Sequence, residues 1–314
     1  MHNQTISKAF NIQGTTHKKE YFEGWYFKQV NLNHDVTISF IFGYSTNTIN
    51  PHSFIQIIRT NPLKTFYISY PLEEFIPMDN GYNVGNTFFS INELKLNISN
   101  NEIQCVGQLN YDHLTELDGN NWYMPNIMGP FSYIPNMECN HGVVSMHHNV
   151  NGTLKLNNES FEFKDDTGYI EKDWGTSFPN RYIWLQGNHF TEPDTSFMLS
   201  IANIPFLGFN FEGLIASLNI NNKSYRFATY TGAFKRKLIK HDDGFDLIIQ
   251  RGFYKLIIKV HIDEQANLVS PLNGLMMNTI KEGLGGKISL SLHHFNKLIW
   301  SDSSNSCGVE IEGY

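Results

Sequence analysis

Alternation of apolar and polar residues with a period of two runs through this 314-residue chain and limits what it can fold into. In one example, Leu94, Leu96 and Ile98 are separated by polar residues. Such a pattern is typical of a β-strand with one buried face, because successive side chains of a strand point to opposite sides. Clusters of Asn, Ser and Gly separate the runs, as they do between the strands of antiparallel hairpins.

Helical periodicity is scarce, and it predicts one short helix around Leu275 to Leu284, with glycines at 274, 283, 285 and 286 at its ends. Many short strands and little helix predict an all-β protein made of barrels or sandwiches. Two tryptophan-rich segments lie about half a chain apart, and each precedes a run of strands. We therefore expect two antiparallel β domains packed together, an N-terminal one over 1–165 and a C-terminal one over 166–314.

Composition excludes several classes of function. A net charge of -7 argues against nucleic acid as a partner and against docking on an anionic membrane through charge. No apolar run reaches the roughly 20 residues that a membrane-spanning helix needs. The three cysteines are widely spaced and fit free thiols, and the N-terminal residues lack the pattern of a signal peptide. These features together predict a cytoplasmic protein.

The first tryptophan-rich segment, 20–28, places Glu23 close to Trp25 and Tyr26. In a strand, Glu23 and Trp25 would share one face and Tyr26 would lie on the other. A carboxylate that is buried beside aromatic rings loses hydration, which favours its protonated form and suits it to general-acid catalysis. The alternative is a tryptophan that fills the barrel interior beside a surface glutamate.

The second segment, 168–190, is denser in polar residues, and Trp184, Gln186 and Asn188 would share one face of a strand. Polar side chains on the same face as a tryptophan indicate a cavity in which a few polar groups orient an apolar ligand. The alternative is an ion-pair network that holds a domain junction. The candidate residues of this segment are Glu171, Asp173, Trp174, Trp184, Gln186 and Asn188.

A third stretch, 137–148, contains Cys139, His141, His147 and His148 and raises the question of a metal site. Its spacing matches no zinc pattern, and adjacent histidines of a strand point to opposite faces. Structural or hydrogen-bonding histidines are therefore the favoured interpretation, and no metal is expected.

Both tryptophan-rich segments resemble motifs of a known family. Residues 21–28, Tyr-Phe-Glu-Gly-Trp-Tyr-Phe-Lys, closely resemble the opening motif of tocopherol cyclase-like proteins. Residues 168–175, with 177–179 and 184–190, resemble the second motif of that family, and 270–275 and 307–310 are similar to its weaker C-terminal features. The resemblance extends from about residue 17 to the end of the chain.

The resemblance implies two lipocalin-like barrel domains and an acid-catalysed cyclisation or hydration without a cofactor. Plant members protonate an alkene of a prenyl tail, and a phenol oxygen then captures the cation; such enzymes are isomerases of the intramolecular lyase type. Plant members carry Asn where this chain has Asp173, so either Asp173 is not the family acid or this chain differs from them in its chemistry.

Carried onto this chain, the resemblance implies an apolar prenyl or terpenoid ligand. The proton donor would be Glu23, Glu171 or Asp173. A non-catalytic carrier of lipids or isoprenoids is the alternative. The residues expected to line the cavity are Trp25, Tyr26, Trp174, Trp184, Gln186 and Asn188.

Overall fold

A computed structural model describes residues 8–14, 18–31, 35–135, 137–206 and 209–314, apart from the side chain of Phe206. Within these residues helix is confined to short 3-10 turns at Leu72–Glu74, Gly129–Tyr133 and Thr229–Thr231, and the other regular elements are strands. The predicted all-β fold with little helix is confirmed. In the same part of the chain, no helix has the length and apolar character needed to cross a membrane.

The chain forms two compact units, and each unit draws on separate stretches of sequence. Unit 1 contains Met1–Leu117, Cys139–Phe178 and Leu268–Thr279. Unit 2 contains Asp118–Glu138, Pro179–Asn267 and Ile280–Tyr314. The boundary predicted after residue 165 lies inside a strand, Glu159–Gly175, that belongs wholly to unit 1.

The first sheet is antiparallel and has eleven strands in the described part of the chain. They are β1 (Phe22–Asn31), β2 (Val36–Ser45), β3 (His52–Arg59), β4 (Lys64–Pro71), β5 (Phe75–Met78), β6 (Gly81–Val84), β7 (Thr87–Phe89), β8 (Glu93–Ser99), β9 (Gln104–Thr115), β10 (Cys139–Leu156) and β11 (Glu159–Gly175). Their order is β4-β3-β2-β1-β11-β10-β9-β8-β7-β6-β5. The edge strands β4 and β5 follow each other in sequence, so the sheet curls towards a nearly closed barrel.

The pairing of β1 with β11 brings the two tryptophan-rich segments together. In this register Glu23 lies opposite Trp174, and Trp25 lies opposite Lys172. Of the second segment, residues 168–175 end β11 in the first sheet, whereas Tyr182–Gly187 forms a strand of the second sheet. Sequence patterns could not show this, because strand pairing over such a distance depends on the whole sheet.

The second sheet is also antiparallel and, counted over the described residues, has ten strands. They are β12 (Tyr182–Gly187), β13 (Ser196–Phe206), β14 (Phe209–Ile220), β15 (Lys223–Ala228), β16 (Ala233–His241), β17 (Gly244–Arg251), β18 (Tyr254–His261), β19 (Ala266–Leu272), β20 (Leu275–His294) and β21 (Lys297–Glu312). The order is β15-β14-β13-β12-β21-β20-β18-β17-β16, and β19 pairs with β20.

The helix predicted around Leu275 to Leu284 is wrong, because these residues begin the long strand β20. Ile280, Glu282 and Leu284 are buried, and the exposed Lys281 shows the alternation of a strand. Glycines at 283, 285 and 286 also weaken a helix, since glycine is among the poorest helix formers.

Each unit has its own apolar core. In unit 1 the ring of Trp25 packs against Phe75 and Tyr82, with ring centroids 5.6 Å and 5.1 Å away. In unit 2 the core includes Ile183 and Leu185 of β12. Trp25 is therefore part of a packed interior, as in the alternative considered for the first segment, but Glu23 is fully buried and is not the surface glutamate of that alternative.

Replacement of a glycine of β10 can test how closely β9 and β10 approach each other. Gly152 has φ of +140° and lies beside a register shift, and a Cβ there would be 2.1 Å from the backbone oxygen of Gln108. We expect Gly152→Ala to lower the free energy of unfolding by about 2–3 kcal/mol, because backbone and side chain are both strained. Urea unfolding measures the change.

The matched control is Gly24→Ala in β1, where a Cβ would meet only Ile41 Cγ2, at 3.6 Å. That variant should stay within about 0.5 kcal/mol of the wild type. Equal stability of the two variants would contradict the close contact at Gly152.

Candidate functional site

Alternation along β11 sorts its polar residues onto two faces. Lys172 and Trp174 point to the face that carries the core of unit 1, which we call the core face. Tyr169, Glu171 and Asp173 point the other way, to what we call the carboxylate face. Neighbouring strands alternate likewise, so the sequence-predicted acids fall into two separate groups.

On the core face, Glu23 of β1 and Lys172 of β11 form an ion pair whose side chains are both fully buried. The ammonium group of Lys172 also lies 4.1 Å from the ring centroid of Trp25 and 5.4 Å from that of Trp174. Burial of a single charge is very costly, so each charge of such a pair depends on the other.

The segment 8–14 supplies further partners to this ion pair. The backbone N–H groups of Gln13 and Gly14 donate to the Glu23 carboxylate, the former at 2.9 Å from Oε1. Lys172 Nζ donates to the carbonyl oxygen of Asn11 at 2.6 Å. Residues 8–14 are thus held in place by charges buried in the core of unit 1.

Glu23 accepts in each of its described contacts, including one from the hydroxyl of Tyr21 at 2.8 Å. A carboxylate with these partners is better suited to the role of a structural anion than to that of a proton donor.

Burial lowers the pKa of Lys172 from 10.5 to about 8, although the neighbouring Glu23 opposes this shift. Burial, together with Glu23, raises the pKa of Tyr21.

On the carboxylate face, His141 of β10 lies between two acids of β11. Its Nδ1 is 2.8 Å from Asp173 Oδ1, and its Nε2 is 3.2 Å from Glu171 Oε2. The hydroxyl of Tyr169 donates to the same oxygen of Glu171 at 2.6 Å. Side-chain exposures are 10% for His141, 5% for Glu171 and 24% for Asp173, so Asp173 is the most accessible of the three.

Burial and neighbouring charges shift the pKa values of His141 and Asp173. Burial disfavours the imidazolium form, but Glu171 and Asp173 outweigh it and raise the pKa of His141 well above 6.5. Burial also raises the pKa of Asp173 above 3.8, with His141 opposing and Glu171 adding to the shift. A carboxyl group that keeps its proton at a higher pH than usual can act as a general acid.

The residue opposite Asp173 on β1 has no side chain. That residue is Gly24, which is half-buried, and Phe22 and Tyr26 flank it on the same face. Tyr26 accepts a hydrogen bond from the Ser39 hydroxyl at 3.0 Å. The carboxyl group of Asp173 therefore lies opposite a glycine, and an aromatic residue flanks that glycine on each side.

The same three residues are also potential metal ligands, because one donor atom from each lies within 4.8 Å of the others. However, each ring nitrogen of His141 faces a different carboxylate. A metal ion would take one ring nitrogen and draw both carboxylates to that side. The arrangement is therefore that of an ion-pair network, and the expectation that no metal is used stays a prediction.

His141 and Tyr169 were not among the residues singled out from sequence as catalytic. His141 stood in the third stretch and was assigned a structural or hydrogen-bonding role, and Tyr169 belongs to the second segment. The available signal was the alternation of Tyr169, Glu171 and Asp173, which places a phenol and two acids on one strand face.

The remaining candidates lie in unit 2. Trp184 and Gln186 share the face of β12 that is opposite to the core residues Ile183 and Leu185, and both are buried. Asn188 is buried just beyond the end of β12. The predicted sharing of a face is confirmed for Trp184 and Gln186, and a cavity that unites the tryptophans of both segments stays a prediction.

A buried acid accompanies Trp184. Glu310 of β21 is its partner across the strands, and the hydroxyl of Tyr182 donates to Glu310 Oε2 at 2.6 Å. A Cβ at Gly308 would lie 2.5 Å from the Trp184 ring, so glycine is required for the ring to pack there. Glu310 and Tyr182 were not identified as candidates from sequence.

The third stretch also holds a buried neutral histidine. His148 is fully buried, its Nδ1 lies 3.1 Å from Ser145 Oγ, and its ring is 4.6 Å from that of Tyr111. Burial, with a smaller contribution from His147, lowers the pKa of His148 from 6.5 to about 3. A hydrogen-bonding role, as expected, describes this residue.

The buried ion pair leads to a prediction about stability. We expect Lys172→Met to lower the free energy of unfolding by about 3–5 kcal/mol, because it leaves the Glu23 carboxylate buried without its cation. The double variant Glu23→Gln/Lys172→Met should recover most of that loss in urea unfolding, since an amide needs no counter-charge. Equal losses in the single and double variants would show that Glu23 and Lys172 are not coupled.

His148 leads to a prediction about pH. Because its pKa is depressed in the folded protein, the unfolded chain takes up the proton first, and stability falls as the pH drops from about 6.5 towards 3. Between pH 7 and pH 5 this amounts to about 2 kcal/mol. His148→Gln should lose this dependence, as measured by urea unfolding at each pH. The raised pKa of His141 has the opposite effect, a loss of stability as the pH rises, and it acts only above pH 6.5. An equal decline of stability between pH 7 and pH 5 in the wild type and in His148→Gln would therefore show that His148 is not its source.

Comparison with known proteins agrees with this architecture. Residues 120–313 match the tocopherol cyclase-like family, a range that includes the second tryptophan-rich segment but not the first. Over 85 residues the chain is 31% identical to a probable chloroplastic tocopherol cyclase of Oryza sativa subsp. japonica. That alignment covers 26% of this chain and only 18% of the rice protein.

Two solved structures share the fold. CghA with Sch210972 superimposes with a TM-score of 0.57 at 10% identity, over 93% of this chain and 88% of CghA. Kievitone hydratase from Nectria haematococca gives a TM-score of 0.52 at 11% identity, with the same coverage of 93% and 88%. The match to the family itself extends over more than half of the 314 residues, and the chain therefore belongs to the tocopherol cyclase-like family.

Proposed function

We propose that this chain is an acid catalyst that needs no cofactor and that cyclises or hydrates an apolar prenylated or terpenoid alkene. The observation that carries the proposal is the placement of His141 between Glu171 and Asp173, with a raised pKa at Asp173. Membership of the tocopherol cyclase-like family supports cyclase-type chemistry. The name of one structural neighbour, kievitone hydratase, supports hydration as the related outcome.

Asp173 is the proposed proton donor. It is the most exposed of the three groups, and its Oδ1 faces His141, which leaves Oδ2 as the atom to carry the proton. Glu171 is more deeply buried and accepts from Tyr169, so it suits the role of the anion that holds His141 in place. His141 is then a positioning residue that links the two acids.

The proposed reaction returns the enzyme to its starting state. Asp173 Oδ2 gives its proton to one alkene carbon, so a C–H bond forms, the π bond breaks and a carbocation remains on the other carbon. A phenol oxygen of the substrate attacks the cation in cyclisation, and water attacks it in hydration. The oxygen then releases one proton, which Asp173 recovers, so cyclisation leaves the substrate's composition unchanged.

Aromatic rings beside Asp173 are suited to the cationic intermediate. Phe22 and Tyr26 lie on the same face as Asp173, on either side of Gly24. The face of an aromatic ring stabilises a nearby cation by about 0.5–2 kcal/mol, with the larger value in a dry site. The glycine leaves room for a substrate to approach the acid.

A carrier of isoprenoids is the second candidate function. The observation in its favour is that Glu23 and Glu171 are both held by several donors, as structural carboxylates are. A carrier would need the apolar residues and would tolerate the loss of the Asp173 carboxyl group. The two functions therefore differ in whether the carboxyl group of Asp173 is required.

Replacement of Asp173 tests the proposal. With a prenylated hydroquinone as the probe, Asp173→Asn should lower kcat by about 10²–10⁴-fold and leave KM within about twofold, because the amide keeps the shape but has no acidic proton. Wild-type turnover in D₂O should place one deuterium on the former alkene carbon, as mass spectrometry would show.

The matched control is Glu162→Gln, an exposed acid on the same strand, which should retain full turnover. Unchanged kcat in Asp173→Asn would refute the assignment of the proton donor. Binding of the probe by wild type and variant alike, without turnover in either, would instead favour the carrier.

A further inference from the structure

Two hairpin turns of unit 2 meet at a single point. Gly252 and Phe253 join β17 to β18, and Phe295 and Asn296 join β20 to β21. The backbone N–H of Phe295 donates to the carbonyl oxygen of Phe253 at 3.1 Å, which ties the two turns together. We call residues 251–256 and 292–299 the aromatic tip.

The aromatic tip exposes large apolar side chains. Phe253 and Phe295 are 67% and 62% exposed, and their rings stack with centroids 4.2 Å apart. Leu298 and Ile299, near the start of β21, are also exposed. A contiguous apolar patch at the end of a sheet marks an interaction site more often than scattered exposed residues do.

The backbone of the tip is strained at the position of one of these rings. Phe295 has φ of +48° and Asn296 has φ of +63°, so both turn residues are left-handed. Glycine and asparagine adopt this conformation at low cost, whereas a bulky aromatic residue does so rarely. A phenylalanine at a strained, exposed turn position contributes nothing to the core, which points to a role at the surface.

The charge of the tip differs from that of the whole chain. The chain has a net charge of -7, but 251–256 and 292–299 contain no Asp or Glu. The same stretches carry Lys255, Lys297, His293 and His294. The guanidinium of Arg251, in contrast, donates to the carbonyl oxygen of Arg226 and lies over the core residue Phe227. Exposed aromatic rings with lysines in the same turns suit the interface of a membrane with anionic lipids.

We propose that the aromatic tip docks the protein on an anionic lipid surface, with Phe253 and Phe295 inserted between headgroups and Lys255 and Lys297 against their charges. A second copy of the chain fits this tip less well, because two basic tips would repel each other. The net charge of the whole chain argues against membrane docking, whereas the two turns themselves carry two lysines and no acidic residue. The docking surface is defined by unit 2 alone and is independent of the reaction proposed for Asp173.

Vesicle binding by the full-length chain tests the proposal. Wild type should co-sediment with phosphatidylcholine vesicles that contain phosphatidylglycerol, and only weakly with phosphatidylcholine alone. Phe253→Ser/Phe295→Asn should bind the anionic vesicles at least about tenfold more weakly. Lys255→Glu/Lys297→Glu should weaken binding by about fivefold or more for each reversed charge.

Folding of these variants can be separated from binding. Phe295→Asn places a residue that favours the left-handed conformation in the turn, so its Tm should not fall below that of the wild type. Phe209→Ser, which removes a phenylalanine that is 79% exposed at the start of β14, is the matched control and should bind like the wild type. Asp173→Asn should also bind vesicles normally, which separates a failure of docking from a failure of the proposed reaction.

Three results would overturn the proposal. One is that the wild type binds neither kind of vesicle, and another is that the tip variants bind as the wild type does. The third is that the tip variants lose self-association in sedimentation velocity while vesicle binding is absent, which would assign the tip to a second copy of the chain.

Discussion

The antiparallel register between β1 and β11 is the constraint on which the rest of unit 1 depends. It places Trp25 opposite Lys172 and Gly24 opposite Asp173. Because side chains alternate along a strand, a shift of one residue would exchange the two faces of β11. Lys172 would then leave the core, and the acids would enter it without a cation. In the observed register Lys172 is paired with Glu23, and His141 lies between Glu171 and Asp173.

The same sheet therefore holds carboxylates in two different environments. The buried carboxylate of Glu23 is paired with Lys172 and accepts hydrogen bonds from backbone N–H groups and from the hydroxyl of Tyr21, so it serves as a structural anion in the core. Asp173 is partly exposed, is hydrogen-bonded to His141 and has a raised pKa. Residues of similar chemistry thus take different roles because burial and neighbouring charges differ. This difference is the basis for choosing Asp173 over Glu23 as the proposed acid.

Sequence patterns and structure agree where the interactions are local. Leu94, Leu96 and Ile98 alternate as expected in β8, which is buried on one face. They disagree at Leu275–Leu284, where a few apolar residues at helical spacing belong to a strand. In β3 both faces are buried, so alternation is weak there and register could not be read from sequence. His141 was missed as a site residue because its partners lie on a different strand.

The sequence by itself determined that this chain is all-β, that it carries two tryptophan-rich motifs, and that these motifs resemble the tocopherol cyclase-like family. Period-two alternation and turn residues act over a few neighbours, so they can be read directly. Tertiary structure decided that the two motifs are partner strands, that Lys172 neutralises Glu23, and that His141 joins Glu171 and Asp173. These contacts join residues far apart in the chain, and only the packing of the whole sheet brings them within hydrogen-bonding distance.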